Sequence, residues 1–319
     1  RKPPMASSRR WTPPNLSASL EALGRVTDRN RVVRTAFSKE FITELYETKR
    51  APGPEDWLAD TGAKDRKGQT FAQFETARKR HPTPSCRTIY LAPLGEFDAA
   101  VDVQTLADCV QCWFGALPVR VLEPLPDSKF KRFEHRTGMD GQLQIKTTPI
   151  HEHLKRIKPR DAFVIMGFTQ VDLYPRDSWN FVFGQASAAE GTGVFSFARY
   201  ACEDRALTLR RCCGVLAHEI GHLFGIAHCV SACVPFRWQL VNYRWFECLM
   251  NGSNHDEESD ARPWRLCPVD LRKLRHAMRE VGGLDIAARA VAIADFCDRL
   301  DMPKEAEWYR RSLEMLPQE

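Results

Sequence analysis

The sequence predicts an α/β (α+β) fold: strands alternate with helices through the middle of the chain, and a mainly helical part follows. Three observations carry that reading. Residues 88–92 and 162–169 are apolar runs of strand length, the pattern of strands buried on both faces. Residues 101–114 carry helical spacing and are followed by a short apolar run at 119–122, entered from Pro118. Beyond Thr208 the apolar positions recur at helical intervals over 208–224, 268–280, 284–299 and 303–313.

The other elements follow in order. Residues 1–36 are expected to be a disordered tail; the first nineteen lack acidic side chains and contain two Pro-Pro pairs. Weak helical spacing runs over 37–49, and residues 80–85 form a linker. A third strand is expected at 143–145 and a helix at 149–157. Residues 179–183 and 194–198 are aromatic-rich and predict two more strands around a flexible loop, 184–193.

With 43% hydrophobic and 27% charged residues in 319, the chain has the composition of a soluble globular protein. The net charge of +5 contains no run of five like charges, which argues against a nucleic-acid partner. No apolar stretch approaches the ~20 residues of a membrane span. Eleven cysteines, an odd number without a charged start and apolar h-region, predict reduced thiols or metal ligands rather than a disulfide framework. An intracellular protein is expected, cytoplasmic or nuclear, and monomeric.

The chemistry concentrates in one stretch. His218 and His222, four apart in a helix-compatible run, lie one above the other on a helix face, so that two imidazoles reach one Zn²⁺. Glu219 points off to the side of that pair, where a general base belongs. Continuing the helix would carry a third ligand away. Gly225, three residues on, permits a sharp turn, and His228 swings back to the same ion. Three neutral imidazoles leave a fourth position open, as in a catalytic zinc site. A chance HExxH in a chain of this length is expected at roughly the one-per-cent level; the added Gly and His make chance a poor account. His255, His151 and His153 have the wrong spacing to join this site.

These residues resemble a known family. HEIGHLFGIAHC is similar to the metzincin signature with a Cys directly after the third His, the mark of the archaemetzincins. CLMNGSNHDEESDARPWRLCP (248–268), DLYPRDSWNFVFGQAS (172–187) and GVFSFARY (193–200) resemble the same family, nearest to its vertebrate members. The resemblance covers roughly residues 37–277. It implies a metzincin-like twisted mixed sheet with an active-site helix, a catalytic domain over 37–281 and a C-terminal helical extension over 282–319. It implies zinc-dependent hydrolysis of peptide bonds in a peptide or protein substrate, aminopeptidase-like on short peptides. Met250 matches the Met-turn beneath the three histidines, and Asn251-Gly252 after it is a strong turn dipeptide.

The resemblance also implies a second, structural zinc on four cysteines, of which Cys229, Cys248 and Cys267 match. The family pattern C-P-x-C here ends in Asp270. Eighteen residues separate Cys229 from Cys248 where the family has four. The extra segment, 230–244, carries Cys233. The fourth ligand is therefore Asp270 or Cys233, or Cys233 is a bystander in an inserted loop. The altered cysteine set and the insertion also fit a zinc-binding scaffold of the same fold without turnover; the intact Glu219 opposes that alternative. An edge strand that aligns the peptide is expected at 194–198.

Overall fold

The computed structural model describes residues 16–47, 53–57, 68–97, 101–229 and 246–317. Four short helices come first: α1 (Leu16–Leu23), α2 (Arg31–Ala36), α3 (Lys39–Leu45) and α4 (Phe71–Thr76). The α/β part runs β1 (Thr88–Pro93), α5 (Val103–Phe114), β2 (Val119–Val121), α6 (Asp127–Phe130), β3 (His135–Thr137), β4 (Leu143–Lys146), α7 (Thr147–Ile157), β5 (Ala162–Thr169), β6 (Asp172–Tyr174), β7 (Gly184–Ser187) and β8 (Thr192–Ser196). The rest is helical: α8 (Arg205–Leu223), α9 (Asp256–Asp260), α10 (Pro268–Ala277), α11 (Ile286–Arg299) and α12 (Pro303–Glu314). Among the described residues no helix is long and apolar enough to cross a membrane.

The main sheet has the order β2-β1-β5-β8-β7. Its first four strands are mutually parallel, and β7 runs antiparallel to β8. Every residue of β1, β5 and β8 is buried, as the unbroken apolar runs require of parallel strands covered on both faces. A smaller sheet, β3-β4-β6, sits to one side. Helix α8 packs against β7, β8 and α5. Asp204 caps it, its carboxylate accepting from the backbone N–H of Ala206 and Leu207. With β7 and β8 on one side and α5 on another, α8 is buried nearly all round from Cys212 to Leu223.

Three expectations need correction, and the expected C-terminal helical extension packs into the main core. The tail expected over 1–36 is helical from Leu16: Ala22, Leu23, Val32, Val33 and Ala36 join the main core, and Asn30 caps α2. Helices this short show too few turns for a periodic signal and exist because tertiary packing covers one face. The C-terminal extension over 282–319 shares the same core. Ile293, Phe296 and Tyr309 pack into it, Trp264 stacks on Phe296, and the Tyr309 hydroxyl donates to the Trp264 carbonyl.

The aromatic stretch 179–183 forms no named strand, whereas the glycine-bounded stretch after it supplies β7. Phe183 packs on Tyr200 with centroids 4.9 Å apart, and strand pairing in this stretch is limited to the Phe183 carbonyl, which accepts from Ser196 N–H, and an isolated bridge between Val182 and Leu173. The peptide-aligning edge is consequently misplaced at 194–198. That stretch overlaps β8, which lies between β5 and β7; the edge on that side is β7, and β2 forms the other.

Candidate active site

His218 and His222 lie one turn apart near the end of α8, with ring centroids 4.6 Å apart. The helix stops in a Schellman motif. Gly225 N–H donates to His222 O and Ile226 N–H to Gly221 O, with Gly225 at φ +81°. That left-handed residue reverses the chain and returns His228 to the other two rings, at 5.3 and 4.8 Å. One nitrogen from each of the three imidazoles lies within 4.8 Å of the others. The donor set and spacing fit a zinc ion with one open position.

The tautomers are fixed by the backbone. Nδ1–H of His218 donates to Leu249 O at 2.8 Å, and Nδ1–H of His222 to Ile226 O at 2.7 Å. Both Nε2 lone pairs are left for a metal. Burial, together with neighbouring cationic groups, holds both imidazoles below their ordinary pKa, which favours the neutral form that binds a metal.

Glu219 is buried beside them, and desolvation pushes its carboxyl up to about 7. It faces β7 at close quarters: a Cβ on Gly184 would stand 2.7 Å from the Glu219 carboxyl carbon. The edge strand and the Glu219 carboxylate are therefore in direct contact, and a side chain at 184 would push that carboxylate aside. Gly184→Ala should lower kcat about a hundredfold by displacing the carboxylate roughly an ångström while leaving the zinc content unchanged. Steady-state kinetics with metal analysis checks this.

Met250 lies directly under the histidine helix, since a Cβ on Gly221 would meet its sulfur at 2.6 Å. Its carbonyl accepts from Cys229 N–H at 2.7 Å, which ties the Met250 turn to the residue after His228. Arg262, which sequence reasoning passed over, is buried here. Its guanidinium donates to Asn251 O at 3.1 Å and stands 3.3 Å from His218 Nδ1. No spacing rule marks it, because it acts across 44 residues.

A second group gathers Cys229, Cys248, Cys267 and Asp270, all buried and with ligand atoms within 4.8 Å of one another. Cys267 is the N-cap of α10. Its sulfur accepts from Asp270 N–H at 3.4 Å, and Cys248 Sγ accepts from Cys267 N–H at 3.1 Å. Burial raises the Cys267 thiol, whereas hydrogen bonds from the neighbouring cysteines and from backbone N–H groups outweigh burial at Cys248 and hold it well below its ordinary range. Asp270 presents Oδ2 to Cys248 Sγ at 3.4 Å, while Oδ1 accepts from buried Lys273 Nζ at 2.7 Å. Cys233 and the rest of the inserted segment lie outside the described residues.

Residues 131–243 match the model of Peptidase family M54. Archaemetzincin-2 of Macaca fascicularis is 35% identical over 306 residues, covering 84% of this chain and 78% of that protein. Archaemetzincin-2 of Homo sapiens is 33% identical over 305 residues, with the same coverage of 84% and 78%. The solved structure of the archaemetzincin of Archaeoglobus fulgidus, complexed with malonate, is 27% identical; it matches 58% of this chain and 99% of that one at a TM-score of 0.43. The identity to the two mammalian proteins over most of both lengths places this chain in the archaemetzincin family, peptidase family M54, and makes it a zinc metallopeptidase.

Proposed function

We propose that His218, His222 and His228 hold the catalytic zinc, that Glu219 is the general base, and that a peptide lies along β7. The observation that carries this is the convergence of three imidazole nitrogens within 4.8 Å of one another, beside a carboxylate pressed against an edge strand. Zinc, when bound, supplies Lewis acidity: it polarises the scissile carbonyl and acidifies a water. Glu219 takes the proton of the attacking water and hands it to the leaving amine. Met250 and Arg262 keep the ligand loop and the helix in register. The open backbone edge of β7 pairs with the peptide as an added strand.

The substrate reading is finer: aminopeptidase-like action on short peptides. Edge strand β7 has four residues, enough to pair with only a short extended segment. A digest of a mixed-length peptide library, each peptide present with a free and an acetylated N-terminus, tests it. Cleavage should fall on short peptides and vanish when the amine is blocked. Equal cleavage of long, blocked peptides would replace this with an endopeptidase. We further propose a second, structural zinc on Cys229, Cys248, Cys267 and Asp270.

A further inference from the structure

The short segment 53–57 lies well before residues 131–243, which match the family model, yet it sits against the three histidines. The Trp57 ring meets the His228 ring edge-on, with centroids 4.8 Å apart and planes at 75°. The same indole lies flat on the chain just past the Met-turn: a Cβ on Gly252 would fall 2.5 Å from Trp57 Cδ2. One side chain therefore touches the third histidine and the loop that floors the site.

Trp57 is held there by a dedicated set of bonds. Its backbone N–H donates to Glu258 Oε2 at 2.9 Å, and the same oxygen accepts from Asn254 N–H at 2.8 Å. Asp56 Oδ1 pairs with His255 Nε2 at 3.2 Å, and its other oxygen accepts from Gly53 N–H at 2.8 Å, closing the turn. Glu258 is 2% exposed and Asp56 7%. Asp56, His255 and Glu258 have the residue types and spacing of a metal site. Their oxygens, however, are engaged by backbone N–H groups and an imidazole of the two segments they join. Buried carboxylates satisfied in this way are fasteners, and a double backbone-to-carboxylate bond is among the stronger neutral-to-charged hydrogen bonds available.

We propose that Trp57 is a positioning residue for the catalytic metal: its indole fixes the His228 ring in the ligating orientation, and the Asp56–His255 and Trp57–Glu258 bonds clasp it to the Met-turn loop. The inference rests on His228 being a zinc ligand. Orienting groups behind a ligand typically change metal affinity by about 10–100-fold when removed. An aromatic ring wedged between ligand and floor does this by restricting the imidazole to one rotamer, so its loss raises the rate of ligand release.

The test uses the full chain loaded with zinc or Co²⁺. Trp57→Ala should release the catalytic zinc to a chelator about tenfold faster and alter the Co²⁺ ligand-field spectrum. Trp57→Phe should restore both, since it keeps a ring against His228. Asp56→Asn, which keeps the packing but weakens the clasp, should fall between wild type and Trp57→Ala, and carries the test if the alanine variant fails to fold. Wild-type release rates and an unchanged Co²⁺ spectrum in these variants would overturn the proposal. His228→Ala separates the two readings. If it keeps the catalytic zinc, the ligand assignment fails; if it loses the zinc while the Trp57 variants behave as wild type, only the positioning role fails.

Discussion

Glu219→Gln is expected to lower kcat/KM for peptide hydrolysis by about 10³- to 10⁴-fold with the zinc content unchanged. The amide fills the same space against Gly184, so β7 and α8 keep their contact. It cannot take a proton from water, so what is lost is proton transfer in the transition state. Zinc should stay, because the three histidines converge without Glu219. Parallel loss of zinc and activity would mean that Glu219 holds the metal rather than acting as base. The substitution should also leave a stability signature in the zinc-stripped protein. Burial raises the carboxyl from 4.5 to about 7, so between those values the folded state binds a proton that the unfolded state does not. Folded stability should fall as pH rises through that window. Asp270 is likewise raised to about 7 and contributes the same trend. The difference in Tm between wild type and Glu219→Gln across pH 4.5 to 7 therefore isolates Glu219 and should grow with pH in favour of the variant.

The convergence of His218, His222 and His228 was legible in the sequence because its logic is local. Two histidines at helical spacing, a glycine at the left-handed position of the Schellman motif and a third histidine just beyond it occupy eleven consecutive residues. Strands β1 and β5 were legible for a related reason, since burial on both faces writes an unbroken apolar run. Strand β7 was not. Its four residues, Gly-Gln-Ala-Ser, have little strand propensity, and it exists because β8 offers a partner edge, with the glycine at 184 leaving room for the Glu219 carboxylate. The aromatic residues before it looked more strand-like but are drawn off by packing on Tyr200 and on one another. Trp57 and Arg262 escaped for a third reason: each touches the site across tens to hundreds of residues, and nothing in its own neighbourhood marks the contact. The N-terminal helices show the same limit, having an apolar face too short to be periodic.

The second proposed zinc carries the other large expected effect, and Asp270 is where to look for it. Asp270→Ala should remove one zinc per chain and lower the unfolding free energy by about 3–5 kcal/mol, because it strands the Lys273 ammonium in a site where both side chains are almost wholly buried. A carboxylate in that position is less usual than a fourth thiolate, and the lysine explains how it is held. Lys273 engages Oδ1 and leaves Oδ2 directed at the three sulfurs, as an orienting group behind a ligand should. Three thiolates and a carboxylate around a divalent ion sum to a net charge of −2, and the ammonium brings this to −1. Lys273→Met should therefore weaken zinc retention while leaving the ligands in place. Asp270→Cys should keep both zincs and strengthen thiolate-to-metal charge transfer when Co²⁺ is substituted. Metal analysis, denaturant unfolding with and without chelator, and Co²⁺ spectra read all three variants. Zinc retained at two per chain in Asp270→Ala but lost in Cys233→Ala would move the fourth ligand to the inserted segment. Zinc at one per chain in the wild type would reduce the cluster to a set of buried thiols beside an ion pair. The stability loss in Asp270→Ala would then come from the stranded lysine alone and would not respond to chelator.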